Sequence, residues 1–249
     1  MVEPVETFDG WYSLHDLRTI DWTSWKYATE TERQEALVDF NRLLEKWDCV
    51  EKKEHGSHAF YKVIGQKADF MFMFLRPTVE ELSEIETELN KSKMGEFLIP
   101  AHSYFSVIEM SRYQPEKPGE DLEKSPYVQG RLYPTLPKWD YISFYPMDRR
   151  REGNDNWYTL EKDVRAKLLY EHSKTGRKYA GKIQQVITGS IGFEDWEWGV
   201  TLFAHDVLEL KKIVYEMRFD EVSSRYGEFG DFYIGTIISK DEVPAFFKI

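Results

Sequence analysis

"VEELSEIETELNKSKMGEF", residues 79–97, is echoed by "VLELKKIVYEMRFDEVSSRYGEF" at 207–229. Val79, Leu82, Ile85 and Leu89 share the spacing of Val207, Leu210, Ile213 and Met217, which is one face of an α-helix. Thr78 and Asp206 stand before the two helices as caps, and Glu81 adds a capping-box pattern after Thr78. Two amphipathic helices resemble one another easily. The elements around them decide whether the chain is written twice.

The same order reads out of both halves. In the first, "GWYSLHDL" (10–17) is a strand and "SWKYATETERQEALVDFNRLLEKW" (24–47) a long helix. Ala36, Leu37, Phe40, Leu43, Leu44 and Trp47 form its apolar face. "HAFYKVIG" (58–65) and "ADFMFMFLR" (68–76) are strands, the helix from Val79 follows, and "SYFSVIEM" (103–110) closes the half. In the second, "YISFYPM" (141–147), "NWYTLEKDVRAKLLYEHSKTG" (156–176), "KIQQVITG" (182–189), "EWGVTLFA" (197–204), the helix from Val207 and "DFYIGTII" (231–238) repeat the order. Each half is βαββαβ, the ferredoxin-like unit, so the fold class is α+β with two tandem repeats. The boundaries read as 1–112 for the first repeat, 113–130 for a linker or mobile loop rich in Pro, Gly and charge, and 131–249 for the second.

The duplication makes one residue conspicuous. "LLEKW" at 43–47 aligns with "LLYEH" at 168–172, so His172 stands where the first half has Trp47. Leu160, Val164, Leu168 and His172 recur every four residues on the face that meets the core. A polar ring there needs a hydrogen bond or a metal. On spacing alone, a satisfied core histidine is the commoner outcome.

Composition narrows the field. At 249 residues the chain suits one large domain or two ordinary ones. Its net charge of −11 argues against nucleic acid or an anionic membrane as the main partner, though not against a local basic pocket. The longest apolar run, "FMFMFL" at 70–75, is far too short to cross a bilayer. The start reads as no secretion signal, and the single cysteine, Cys49, fits a reducing cytoplasm and a buried structural thiol. There is no Gly-rich phosphate loop and no nucleophile elbow. "HGSH" at 55–58 is the one close histidine pair, without cysteines nearby; turn or surface roles suffice for His15, His102 and His205.

Three stretches carry more. "GRLYPTLPKWDYISFYPM" (130–147), "LLYEHSKTGRKYAGKIQQVITGSIGFEDWEWGVTLF" (168–203) and "DEVSSRYGEFGDFYIG" (220–235) resemble the chlorite dismutase-like haem proteins, and more closely their Gram-positive branch, the coproheme decarboxylases. The resemblance spans essentially the whole chain and implies tandem ferredoxin-like repeats in a dimeric α+β barrel-type fold. It implies His172 as the ligand of a porphyrin iron, with Gln185 across the ring on the distal face. In a strand only one of Gln184 and Gln185 faces the iron. Chlorite dismutases carry an arginine there. An amide donates a hydrogen bond but brings no charge, which disfavours chlorite chemistry.

Tyr145 is the implied catalytic residue. In such enzymes hydrogen peroxide oxidises the iron, a tyrosyl radical takes hydrogen from a propionate β-carbon, and carbon dioxide leaves a vinyl group. The cofactor and substrate are then one molecule, Fe-coproporphyrin III (coproheme), and the product is haem b. Arg131, Arg149, Pro146, Met147, Asp148 and Ser223 are the further residues the resemblance places against it, with Arg131 and Arg149 suited to bind carboxylates at two points. Arg149 also belongs to "DRRR" (148–151), which by itself reads as a solvated run, and Ser223 reads equally as a helix cap. Trp157 reads as a hydrophobic staple or a porphyrin contact. The resemblance further implies a homopentamer and transient contact with the ferrochelatase that supplies coproheme. The rival readings are a haem carrier or sensor without catalysis, and a chlorite dismutase- or peroxidase-type haem enzyme.

Overall fold

In the computed structural model, which describes residues 2–113 and 122–249, the first half of the chain runs β1 (Thr7–Ile20), α1 (Trp22–Tyr27), α2 (Glu30–Lys52), β2 (Ser57–Ile64), β3 (Phe70–Arg76), α3 (Val79–Lys91) and β4 (Leu98–Ser111). After α4 (Pro126–Leu132) the second half runs β5 (Tyr141–Arg149), α5 (Lys162–Arg177), β6 (Ile183–Gly189), β7 (Trp198–Ala204), α6 (Val207–Met217), α7 (Glu221–Tyr226), β8 (Gly227–Phe229), β9 (Tyr233–Ile237) and α8 (Val243–Phe246). The two βαββαβ runs are present. No helix among the described residues is long and apolar enough to cross a membrane.

Two compact units result. One comprises Trp11–Phe105, Pro134–Lys138 and Tyr233–Ile249. Its strands pair antiparallel in the order β1-β3-β2-β9. The six apolar residues expected on α2 are all buried, and they pack on the rings of Phe60, Phe72 and Phe74. Trp47 lies 4.8 Å from Phe74, and Phe60 stacks on Phe72 at 4.5 Å. The other unit comprises, among the described residues, 2–10, 106–113, 122–133 and Trp139–Phe232. Its strands run in the order β8-β5-β7-β6-β4, all antiparallel. α6 packs on β7 and on α5, and α5 on α7.

Several expected elements differ, each for a local reason. The helix expected over 24–47 is two helices, because Ala28 is extended and Thr29 starts α2 with a capping box. The Glu32 carboxylate accepts from the Thr29 N–H at 2.7 Å. The helix expected from 156 begins only at Lys162, after a single 3₁₀ turn over Trp157–Thr159. Of the segment read as a linker, residues 114–121 lie outside the described residues, while 126–132 form α4. Ser125 caps it, accepting from the Val128 N–H at 3.2 Å, and Pro126 fills the first turn.

The strand at the end of the second half pairs with β2, from Tyr61↔Ile237 to Ile64↔Ile234. β8 lies beside β5 instead. The two "GEF" echoes therefore diverge: the first is a 3₁₀ turn and the second is β8. Cys49 is exposed rather than buried. His15 is wholly buried in β1 rather than in a turn, since every residue of Ser13–Arg18 is covered. His58 is buried too, 3.4 Å from Asp48.

Candidate functional site

The site grows from the alternation of β5. Phe144 turns away and is fully buried, while Tyr145, Met147 and Arg149 face a cavity of about 430 Å³. Pro146 and Asp148 occupy the alternate positions and contribute through backbone and strand anchoring. The Pro146 carbonyl accepts from Gly230 N–H at 2.9 Å, and the Asp148 carboxylate accepts from Glu197 N–H at 2.7 Å. β7 and β6 continue the same wall. Tyr145 is opposite Val200, which is opposite Ile187, and Gln185 lies two positions along β6. Gln184 does not line the cavity; Gln185 does.

α5 supplies the facing wall with Leu169, His172 and Ser173. The stripe expected to be buried is only partly so. Leu160 and Leu168 pack against Trp157, Val222 and Tyr226, but Val164 is 46% exposed, and Arg165 is the one fully buried side chain of the helix. Leu160 precedes the helix, so the four-residue count fails at its first member. His172 keeps 24% of its side chain exposed and looks into the cavity. Its Nδ1 meets Asp220 Oδ2 at 2.8 Å.

Asp220 is doubly used. It caps α7, accepting the Ser223 N–H at 2.9 Å, so the cap is Asp220 and not a serine. Burial pushes its carboxyl up, but the bonds from His172 and from the Ser223 N–H outweigh burial and hold it below the usual carboxylate range. An ionised acceptor on Nδ1 fixes the ring and leaves Nε2 for a metal, as carboxylate–histidine pairs do in metal sites.

Three guanidinium groups line the cavity: Arg131, Arg149 and Arg218. None has an ion-pair partner among the described residues. Arg149 separates from the rest of its run. Its guanidinium lies over the ring of Trp157 at 4.9 Å and near Trp198 at 5.9 Å, whereas Arg150 pairs with Glu228 and Arg151 with Glu197. Arg218 lies 3.4 Å over the ring of Phe229. Cations held on aromatic faces and open to a cavity are ready for a carboxylate ligand. Burial lowers Arg149 from its ordinary value, opposed by the surrounding Tyr158, Asp220, Tyr113 and Glu197.

Tyr145 is 6% exposed, with its ring stacked on Phe232 at 4.2 Å and 6.0 Å from Phe229. Burial pushes its phenol up to about 12, against the opposite pull of Arg218 and Arg149. The hydroxyl therefore keeps its hydrogen at neutral pH.

Of the residues singled out from sequence, Arg131, Tyr145, Met147, Arg149, His172, Gln185 and Ser223 line one cavity, joined by Trp157. Sequence reasoning missed Arg218, Trp198, Glu109 and the Asp220 partner of His172. Arg218 ends a helix, where a basic residue passes as a C-terminal charge. Glu109 and Trp198 are single positions on two strands far apart in sequence.

The chlorite dismutase family model matches residues 33–238. Over 249 residues, all of both chains, the sequence is 58% identical to a coproheme decarboxylase of Oceanobacillus iheyensis. A haem-binding protein of Thermus thermophilus superposes with a TM-score of 0.95 at 44% identity, covering 100% of this chain and 99% of that one. A chlorite dismutase variant from Candidatus Nitrospira defluvii superposes with a TM-score of 0.74 at 17% identity, covering 96% and 95%, a likeness of fold.

Proposed function

The chain belongs to the chlorite dismutase family, and from that premise we propose that it is a coproheme decarboxylase, converting Fe-coproporphyrin III to haem b with hydrogen peroxide. One observation carries the reading. A protonated, buried Tyr145 shares a cavity with a carboxylate-backed histidine and three guanidiniums that lack carboxylate partners among the described residues.

The residues present suit the macrocycle. His172 Nε2 would bind the iron, with Asp220 fixing the ring. Arg131, Arg149 and Arg218 would hold propionates, with the Ser223 hydroxyl a neutral donor beside them. When bound, the iron would relay the two oxidising equivalents that peroxide brings and would take up the two electrons that the propionate loses. Gln185 stands ready as a neutral hydrogen-bond donor across the cavity from His172, without the charge that favours an oxyanion leaving group.

Tyr145 does the transfer. Its phenol gives up an electron and a proton, and the resulting radical takes a hydrogen atom from the β-carbon of a propionate. Loss of a second electron and of carbon dioxide leaves the vinyl group. The balance for each side chain is propionate + H2O2 + H⁺ → vinyl + CO2 + 2 H2O. Two of the four propionates, at positions 2 and 4, react. The aromatic surroundings of Tyr145, Phe229 and Phe232 keep water from the radical. The homopentamer and the transient contact with a ferrochelatase belong to the same reading.

Ferric coproheme added to the purified protein, then titrated with peroxide and followed by mass and absorption, tests the proposal. Stepwise loss of two carbon dioxide molecules, one per peroxide reduced, supports it. A bound ligand of unchanged mass would make the protein a carrier, and sustained oxygen evolution from chlorite would make it a chlorite dismutase.

A further inference from the structure

Glu109, on β4, is the one carboxyl among the described residues that line the cavity. Its position is odd for a site that takes a polyanion. Oε1 accepts a hydrogen bond from the Trp198 indole at 3.0 Å, and Oε2 has no partner among the described residues. The seat is built by its neighbours. β4 pairs with β6 at Val107↔Gly189 and Ile108↔Thr188, and a Cβ on Gly189 would lie 2.3 Å from Oε2. Only the missing side chain of Gly189 leaves room for the carboxyl against the sheet.

None of the three cavity guanidiniums forms an ion pair with Glu109. The charged group that acts on it is Asp9 of β1, a like charge, and the group from β7 is the neutral Trp198 indole. Burial pushes the carboxyl above its ordinary range, the indole bond opposes this, and Asp9 adds to it. A partly buried carboxyl without a cation, facing a like charge, takes up a proton more readily than a free one, and a ligand carboxylate brought against it acts in the same direction. It then becomes a donor, as neutral carboxylic acids do in apolar sites.

We propose that Glu109 is a substrate-positioning residue that donates, as a neutral acid seated between Gly189 and Trp198, a hydrogen bond to one carboxylate of the porphyrin. Three guanidiniums and one neutral acid then face four propionates. The fourth carboxylate is held without a fourth cation, and the cavity stays only weakly charged once the ligand is bound. This rests on the proposed substrate, a porphyrin tetracarboxylate.

The test uses metal-free coproporphyrin III, whose fluorescence reports binding without iron or turnover, on the full chain. Glu109→Gln keeps a neutral donor of the same shape, and its affinity is expected within about threefold of wild type. Glu109→Met removes the donor, and Gly189→Ala pushes the carboxyl off its seat. Each is expected to weaken binding about tenfold, the scale of one lost hydrogen bond. Glu109→Met is also expected to melt no lower than wild type without ligand, since removal of a partly buried carboxyl without a cation offsets the lost bond from the Trp198 indole; a structural role would lower the melting temperature.

Tighter binding by Glu109→Gln, by about tenfold, would mean an ionised, repelling carboxylate and would overturn the proposal. So would unchanged binding by Glu109→Met, or by Gly189→Ala if the Met variant does not fold. If wild type itself fails to bind the porphyrin, the proposed substrate falls, and this inference with it. Wild-type binding beside indifferent variants would overturn this inference alone.

Discussion

α2 and α5 hold the same place in the two βαββαβ runs and bury opposite things. α2 lays six apolar side chains on a sheet of phenylalanines and ends that face with Trp47 against Phe74. α5 buries one side chain fully, Arg165, and turns His172 toward a cavity of about 430 Å³. The strand order and helix periodicity are shared; the volume of the side chains is not. Where the first repeat fills the space between helix and sheet with Phe60, Phe72 and Trp47, the second has Val200 and Ile187. The second repeat leaves open the space that the first fills and lines it with guanidiniums, a histidine and a phenol, the opening on which the proposed binding site rests.

The largest break in that comparison comes from the filled half. Trp47→Ala is expected to cost about 3–5 kcal/mol in urea unfolding, because it opens a void in a packed aromatic cluster. His172→Ala at the matching position is expected to cost about 1 kcal/mol or less without ligand, since the ring faces open space and loses one hydrogen bond. Similar losses at both positions would mean that α5 is packed like α2.

Acid separates the repeats next. His15 and His58 lie in the filled unit, and burial, the largest cause for each, lowers both to about 3. Their neutral forms are kept in the fold while the unfolded chain takes up protons below about 6.5. Stability from these two groups is therefore full above that pH and falls as the pH drops toward 3. The slope is about 1.4 kcal/mol per pH unit for each histidine. Denaturation midpoints between pH 7 and pH 4, compared with a His15→Gln variant, check this; the variant is expected to have the shallower slope.

The smaller effects lie in the open half. Asp220→Asn is expected to weaken ferric coproheme binding about tenfold to a hundredfold by freeing the His172 ring, read from the absorption of the bound iron. Arg218→Gln is expected to weaken it about tenfold, through loss of one charge-assisted bond. Arg150→Gln, whose guanidinium pairs with Glu228 outside the cavity, is expected to leave binding unchanged.

Periodicity made the filled repeat readable. Ala36 to Trp47 have helical spacing, and all six are buried where a stripe should be. The β5 alternation likewise separated Tyr145 from Phe144. Periodicity served the open repeat less well, because a helix that lines a cavity need not bury its stripe, as exposed Val164 shows. The break at Thr29 depends on a capping box inside a longer helix-like stretch, and the late start at Lys162 follows a 3₁₀ turn capped by Asn156. The pairing of His172 with Asp220, 48 residues on, and of Trp198 with Glu109 are products of tertiary folding that no local pattern announces. Buried His15 failed for the same reason: β1 is covered along Ser13–Arg18, which an alternating strand does not foretell.

The central claim is that Tyr145 carries the hydrogen transfer in the cavity that α5 leaves open. Its most direct test is mass spectrometry of bound coproheme after peroxide, with Tyr145→Phe beside wild type. The account predicts that the variant binds coproheme through His172 with an unaltered absorption spectrum and releases carbon dioxide at least about 10³-fold more slowly, since phenylalanine has no O–H to give. Loss of two carbon dioxide molecules by Tyr145→Phe at the wild-type rate would contradict it.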